Sequence, residues 1–301
     1  MELKEIYHPI SKELSQVQRE LEEQIISISK NHLTHQQWVE VNEVISYFFN
    51  IPGKHLRPAL VLLSAKSVNH QISTINRKLI HLATAVELIH SATLIHDDIV
   101  DNSVQRRGQR SLNKQFGNKI AVVAGDMLYA RAFSLLTGEL DRRILRVLAQ
   151  CVEEMCRGEI SELRPSSKAE GYGLGEYLKI IAEKTASFMS ACCKTGAMLA
   201  LQGITGIDLP QKEKQISMLQ KFGHNFGISY QILDDYLDDD SPVPFKMNMV
   251  EKAEEFASRA KHSIEVLEDS IYKQKLSDLV DYILRMDDYS YMVEIKTLSG
   301  K

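Results

Sequence analysis

Residues Glu87–Asp101 read ELIHSATLIHDDIVD, and this stretch decides the fold class. Together with the residues before it, Leu82, Ala85, Val86, Ile89, Thr93 and Asp97 fall on one stripe at steps of three and four, the spacing of a helix face. The stripe ends in an aspartate cluster, Asp97, Asp98 and Asp101. A second cluster, Asp234, Asp235 and Asp238, closes the stretch GISYQILDDYLD from Gly227 to Asp238. On a helix, positions four apart lie on one face, so Asp97 shares a face with Asp101 and Asp234 with Asp238. Like charges so placed each cost a few tenths of a kcal/mol. Two such clusters, each where an apolar face runs out, point to a cation.

The same periodicity runs outward from this stretch. Ile6, Ile10, Leu14, Val17 and Leu21 follow it, as do Leu145, Leu148, Val152, Met155 and Ile160, and Leu219, Phe222, Phe226, Tyr230 and Leu233. No period-two strand stands out. Only 7 prolines and 15 glycines occur in 301 residues, which favours long helices over many turns. Loops are expected near 51–54, 69–74, 102–109, 165–175 and 203–210. The expectation is one all-α domain over residues 1–301, a bundle of about ten or more helices.

Bulk composition narrows the partners. The chain is 44% hydrophobic and 25% charged, a globular balance, and its formal net charge of −4 speaks against nucleic acid. The start, Met1-Glu2-Leu3-Lys4-Glu5, lacks the apolar core of a signal peptide, and no run of about 18 apolar residues marks a membrane span. Cys151, Cys156, Cys192 and Cys193 lack zinc-site spacing and are expected to be buried cytosolic thiols.

Paired carboxylates on a helix suit Mg²⁺, which takes one or two carboxylates and completes its shell with water and substrate phosphates. Cations accompany the clusters: Arg106-Arg107-Gly108 follows Asp101, and Gly53-Lys54-His55-Leu56-Arg57-Pro58 opens a helix with proline in its first turn. Lys54 and Arg57, three apart at a helix start, fit an oxyanion.

These elements, with His90, Gly125-Asp126, Lys184-Thr185 and Tyr230-Gln231, occur in the order found in the trans-isoprenyl diphosphate synthases. The chain resembles that polyprenyl synthetase family over roughly 51–238, and most of all its medium- and long-chain members. The resemblance implies an isoprenoid-synthase bundle around a central cavity. It implies Mg²⁺-dependent, head-to-tail condensation of an allylic diphosphate, farnesyl or geranylgeranyl, with isopentenyl diphosphate. Carried over by position, Asp97, Asp98, Asp101, Asp234, Asp235 and Asp238 would hold Mg²⁺. Arg106 and Lys184 would clamp the allylic diphosphate beside Thr185 and Gln231. Lys54, Arg57, His90 and Arg107 would take isopentenyl diphosphate. Ala92 and Thr93, then Leu88 and Ile89, would wall the growing tail. Because Ala92 and Thr93 are small, a hexaprenyl to octaprenyl product is expected. A homodimer, or a heteromer with a small accessory subunit, is expected in the cytoplasm, with transient membrane contact by a lipid product.

The chain departs from the family in three places. Pro52 precedes Gly53 and His55 replaces an arginine; Glu159 and Glu162 stand where many members have Gln and Asp; and a segment after Asp238, near 239–249, reads as missing. The last leaves a second reading open, a non-catalytic or regulatory subunit of a heteromeric synthase. A farnesyl or geranylgeranyl diphosphate synthase, a terpene cyclase and an HD-type phosphohydrolase using His96-Asp97 fit fewer of the motifs.

Overall fold

The structure is a computed structural model. It describes residues 2–30, 34–70, 77–164, 173–237 and 246–285. The helices are α1 (Leu3–Tyr7), α2 (Ser11–Lys30), α3 (His35–Phe49), α4 (Leu56–Val68), α5 (Arg77–Val100), α6 (Leu112–Phe116), α7 (Asn118–Glu139), α8 (Arg142–Glu162), α9 (Leu174–Ile181), α10 (Ser187–Ala200), α11 (Leu209–Leu237), α12 (Lys246–Ile264) and α13 (Ile271–Leu284). The all-α expectation holds. One correction is a two-stranded antiparallel hairpin, β1 (Gln105–Arg106) and β2 (Gln109–Arg110), inside the segment read as a loop. Strands of two residues are too short to show alternation. Of the expected second cluster, Asp238 lies outside the described residues, as do 239–245 of the segment near 239–249.

The chain divides into two compact units. The first comprises residues 11–59 and 74–140. Here α5 packs along α7, and α2 lies on α5. α5 is buried all round from Leu79 to Ile89 rather than on one stripe: of the expected face Leu82, Ala85, Val86 and Ile89 are fully buried, and Thr93 and Asp97 are half-buried. By length and hydropathy α5 and α7 both resemble membrane spans, but α5 is mostly buried as a core helix should be. α7 is less covered and exposes Ile120, Val122 and Val123. A cavity of about 400 Å³ opens here, lined by α3 and α7 residues that include Val41, Val44, Ile120 and Val123. None of the expected site residues lines it.

The second unit comprises residues 1–10, 60–73 and 141–301. α11 packs against α10 and α12, and α8 against α10. Leu219, Phe222, Phe226 and Leu233 are buried as their spacing predicts. On α8 the stripe ends differently: Ile160 is exposed and Gly158 takes the buried position. Cys151, Cys192 and Cys193 are buried, but Cys156 is exposed on α8, against expectation. Burial pushes the Cys193 thiol up to about 12 although Ser64 opposes it, so this sulfur stays an unreactive thiol.

Candidate active site

One group of candidate residues, in the unit of residues 11–59 and 74–140, is built at the C-terminal end of α5. Asp97 is half-buried and Asp101 exposed, joined by an Asp101 N–H to Asp97 carbonyl bond of 2.8 Å, so the helical face they share persists into the turn. Asp98 points the other way. It is 1% exposed, and Arg106 donates to its Oδ1 from Nε at 2.9 Å and from Nη2 at 2.5 Å. The hairpin makes this possible. Ser103 N–H bonds to the Asp98 carbonyl at 3.0 Å, turning the chain back, and β1 then carries Arg106 over the helix end. Tyr47 anchors the other strand by donating to the Arg110 carbonyl at 2.9 Å.

The cations expected for a second diphosphate sit close by in the same unit. Arg57 Nη1 lies 2.9 Å from His90 Nε2. Arginine only donates, so Nε2 accepts and the proton sits on Nδ1, which is buried without a hydrogen-bond partner. Burial first, then Arg57, Arg107, Arg106 and His55, hold His90 well below its ordinary pKa, so it stays neutral. Arg107 donates to the Ile51 carbonyl at 2.9 Å and lies so close to Gly53 that a Cβ there would meet its Nη2 at 2.7 Å. Lys54 is exposed and precedes α4, so it does not share a helix face with Arg57 as the spacing implied. The non-glycine residues with positive φ are His55, Asn102 and Arg107, at 49°, 53° and 52°. Such left-handed residues cost about 1–2 kcal/mol each and gather where surrounding structure fixes a functional loop. Gly125 leaves the space His96 fills: a Cβ would meet His96 Nε2 at 2.2 Å. Of the residues read as a tail wall, Ala92, Leu88 and Ile89 are in the packed interior, and half-buried Thr93 donates to the His90 carbonyl at 2.7 Å.

A second group, in the other unit, is organised by a feature the sequence did not disclose. Between α9 and α10 the helix widens into a π-turn, Ala182–Ala186, in which the Ser187 N–H reaches back to the Ala182 carbonyl. Single π-turns of this kind recur at functional sites. Two glycines wedge it. A Cβ on Gly158 of α8 would meet the Lys184 backbone N at 2.7 Å, and one on Gly227 of α11 would meet Ala186 Cα at 2.6 Å. The turn presents Lys184 and Thr185 side by side. Lys184 Nζ lies 2.7 Å from Glu159 Oε2 and 2.6 Å from Glu162 Oε2. Burial alone would lower the lysine pKa, but Glu162 and Glu159 overcome it and hold the ammonium above its ordinary value. Thr185 donates to Gln231 Oε1 at 2.8 Å, Gln231 Nε2 donates to Asp235 Oδ1 at 2.8 Å, and the Tyr177 hydroxyl donates to Asp235 Oδ2 at 2.6 Å. Burial, with help from Asp234 and Glu162, raises the Asp235 carboxyl pKa against the pull of those two donors. Asp234 is exposed at the end of α11.

Thus Lys184, Thr185, Gln231 and Asp235 come together as expected, and Tyr177, Glu159 and Glu162 join them unforeseen. The donor set fits a divalent cation. Asp98 Oδ2 is buried and has no hydrogen-bond partner, an oxygen lacking a positive neighbour on one side. Among the described residues no three acidic, histidine or cysteine side chains converge into a ready cage. That suits Mg²⁺, whose shell is completed by phosphate and water.

The polyprenyl synthetase family model matches residues 38–242. The chain belongs to the polyprenyl synthetase family, a family of prenyltransferases. It is 33% identical over 238 residues to heptaprenyl diphosphate synthase component 2 of Geobacillus stearothermophilus, covering 79% of this chain and 67% of that one. Against four of its curated relatives the chain spans 55 to 67% of their own length. A decaprenyl diphosphate synthase from Rhodobacter capsulatus superposes with a TM-score of 0.80 at 25% identity, over 95% of this chain and 99% of that chain. A polyprenyl synthase from Caulobacter crescentus, complexed with calcium and isoprenyl diphosphate, shares the fold with a TM-score of 0.77 at 22% identity, over 94% of this chain and 97% of that chain.

Proposed function

We propose that the chain is the catalytic subunit of a trans-polyprenyl diphosphate synthase. It condenses farnesyl or geranylgeranyl diphosphate with isopentenyl diphosphate, head to tail, to a hexaprenyl to octaprenyl product. The observation that carries this reading is the network on the π-turn. Thr185, Gln231, Asp235 and Tyr177, from three helical segments, share one chain of hydrogen bonds. Lys184, next to Thr185 on the widened turn, is held by Glu159 and Glu162, so the turn sets an ammonium beside a hydroxyl that is tied to the aspartate end of α11.

Asp97, Asp98, Asp101, Asp234 and Asp235 would hold Mg²⁺, which when bound neutralises charge on a departing diphosphate. Arg106 is oriented by Asp98, so this cation is aimed before substrate arrives, while Lys184 is held at its two glutamates. Arg57 and Arg107 bind the second diphosphate as permanent charges. His90 stays neutral beside them and offers its Nδ1–H as a donor. The buried wall at Leu88, Ile89 and Ala92 keeps water from the allylic cation that forms on ionisation. The isopentenyl double bond attacks that cation, and the proton is lost to the released diphosphate.

The relative named as component 2 supports assembly with an accessory subunit, beside the homodimer. We read residues 1–301 as a single cytoplasmic domain lacking a segment near 239–249; the end of the family match at residue 242 and the greater length of the relatives support this. Incubation with labelled isopentenyl diphosphate, farnesyl diphosphate and Mg²⁺, followed by product chromatography, tests the function. Elongation to six to eight isoprene units is expected. No incorporation, with or without an accessory subunit, overturns it, and a farnesyl or geranylgeranyl end point overturns the chain length.

A further inference from the structure

The ammonium assigned to the diphosphate is already occupied. Glu159 and Glu162, three apart on the last turn of α8, both reach Lys184 Nζ, at 2.7 and 2.6 Å. The contact is not a loose surface pair. Gly158 brings the backbones of α8 and the π-turn together so closely that a single added carbon would collide with Lys184 N. The ammonium can therefore leave the glutamates only by swinging on its own stem. The surroundings add negative charge: Glu162 and Asp234 both act electrostatically on Asp235. Two carboxylates hold the ammonium, and two more, Asp234 and Asp235, gather beside Glu162.

We propose that Glu162 is a positioning residue which, with Glu159, withholds Lys184 from diphosphate until a divalent cation has neutralised the carboxylates. The order of binding is then metal first, allylic diphosphate second. This rests on Lys184 being a diphosphate ligand. A bare diphosphate must break two charge-assisted bonds and approach an excess of negative charge. Once a cation is bound to the carboxylates, the repulsion falls and Lys184 is free to turn. A glutamine at 162 keeps the hydrogen bond and removes one charge, so it separates charge from shape.

The test is binding of inorganic diphosphate by calorimetry, in chelator and in Mg²⁺. Wild type should bind weakly in chelator. E162Q should bind roughly tenfold tighter there, the size of one charge-assisted hydrogen bond, while affinity in Mg²⁺ changes little. E162D, which keeps the charge, should stay metal-dependent, and the gain should vanish in E162Q/K184M. Unchanged or weaker binding by E162Q in chelator overturns the inference, as does a gain that survives K184M. If K184M binds diphosphate in Mg²⁺ as tightly as wild type, the role of Lys184 itself fails. If K184M is weak and E162Q resembles wild type, only the withholding fails.

Discussion

Gly158→Ala sets two effects of opposite sign against each other. Alanine is about 1 kcal/mol better than glycine inside a helix, so α8 alone would gain. The new Cβ, however, would lie 2.7 Å from Lys184 N and 3.1 Å from Lys184 Cα and Glu183 Cβ. Comfortable contact needs roughly 3.5 Å, so α8 and the π-turn must part by about 0.7 Å. Two of those atoms are backbone and cannot rotate aside. Overpacking of this kind costs about 1–3 kcal/mol, and the rigid neighbours favour the upper part of that range. The net expectation is a loss of about 1–2 kcal/mol, or roughly 2–3 °C in Tm. Displacement of Lys184 by a large fraction of an ångström should also lower kcat by about 10- to 100-fold. Gly138→Ala, near the end of α7, is the control: its Cβ meets nothing within 4 Å, so only the propensity gain remains. Thermal unfolding and isopentenyl incorporation on both variants decide. If Gly158→Ala is stabilised like Gly138→Ala with kinetics unchanged, the close approach does not position Lys184 and the reasoning fails.

Three further expectations follow from the same geometry. Ala92→Phe places a ring in a fully buried position, so product chromatography should show a shift to shorter prenyl chains, with a lower Tm from overpacking of about 1–3 kcal/mol; unchanged products would remove Ala92 from the tail wall. His90 is held below its ordinary pKa by burial and the arginines, so the unfolded chain takes up a proton below about pH 6.5 that the folded chain refuses, and stability must fall as pH drops through that value. Half-buried His224, shifted the same way, adds to the slope, so urea midpoints from about pH 7.5 to 5.5 should flatten only partly in His90→Gln, and no flattening refutes the neutral His90. Mg²⁺ should raise Tm, by about 2.7 kcal/mol of linkage at a hundredfold excess over Kd, and Asp98→Asn should lose part of that gain; equal gains would take Asp98 out of the ion's shell.

The periodicity that made the chain legible as all-α did so because long helices such as α8 and α11 each bury one continuous stripe. The same logic misread Ile160. At the end of α8 the buried position belongs to Gly158, since the neighbouring backbone comes too close for any side chain, and Ile160 is left in water. The aspartates, Arg106, Lys184 and Gln231 were legible as chemistry because their types and order are unusual. Their partners were not. Glu159 and Glu162 stood out only as departures from Gln and Asp, and Tyr177 carried no signal, until the π-turn brought Lys184 to the first two and α11 brought Asp235 to the third. A widened turn slips the stripe by one residue, about 100°, but α9 is only eight residues long, too short to fix the phase from which that slip would be read. Of the left-handed residues His55, Asn102 and Arg107, Asn102 and His55 are of types that favour that backbone, whereas nothing in the type of Arg107 announces it.

The widened turn at 182–186 also says something about how this chain can change over time. Relative to a regular helix it carries one residue too many. Removing any one of the five would let α9 and α10 run together as an unbroken α-helix with better-aligned hydrogen bonds. Every side chain upstream of the cut would then turn by about 100° about the helix axis relative to those downstream. The chain would be left with sturdier backbone hydrogen bonding and a scattered active site. A lineage released from selection for catalysis therefore has a one-step route that discards the turn, and its survival beside Gly158 and Gly227 is a mark of use that a count of surviving aspartates would not supply.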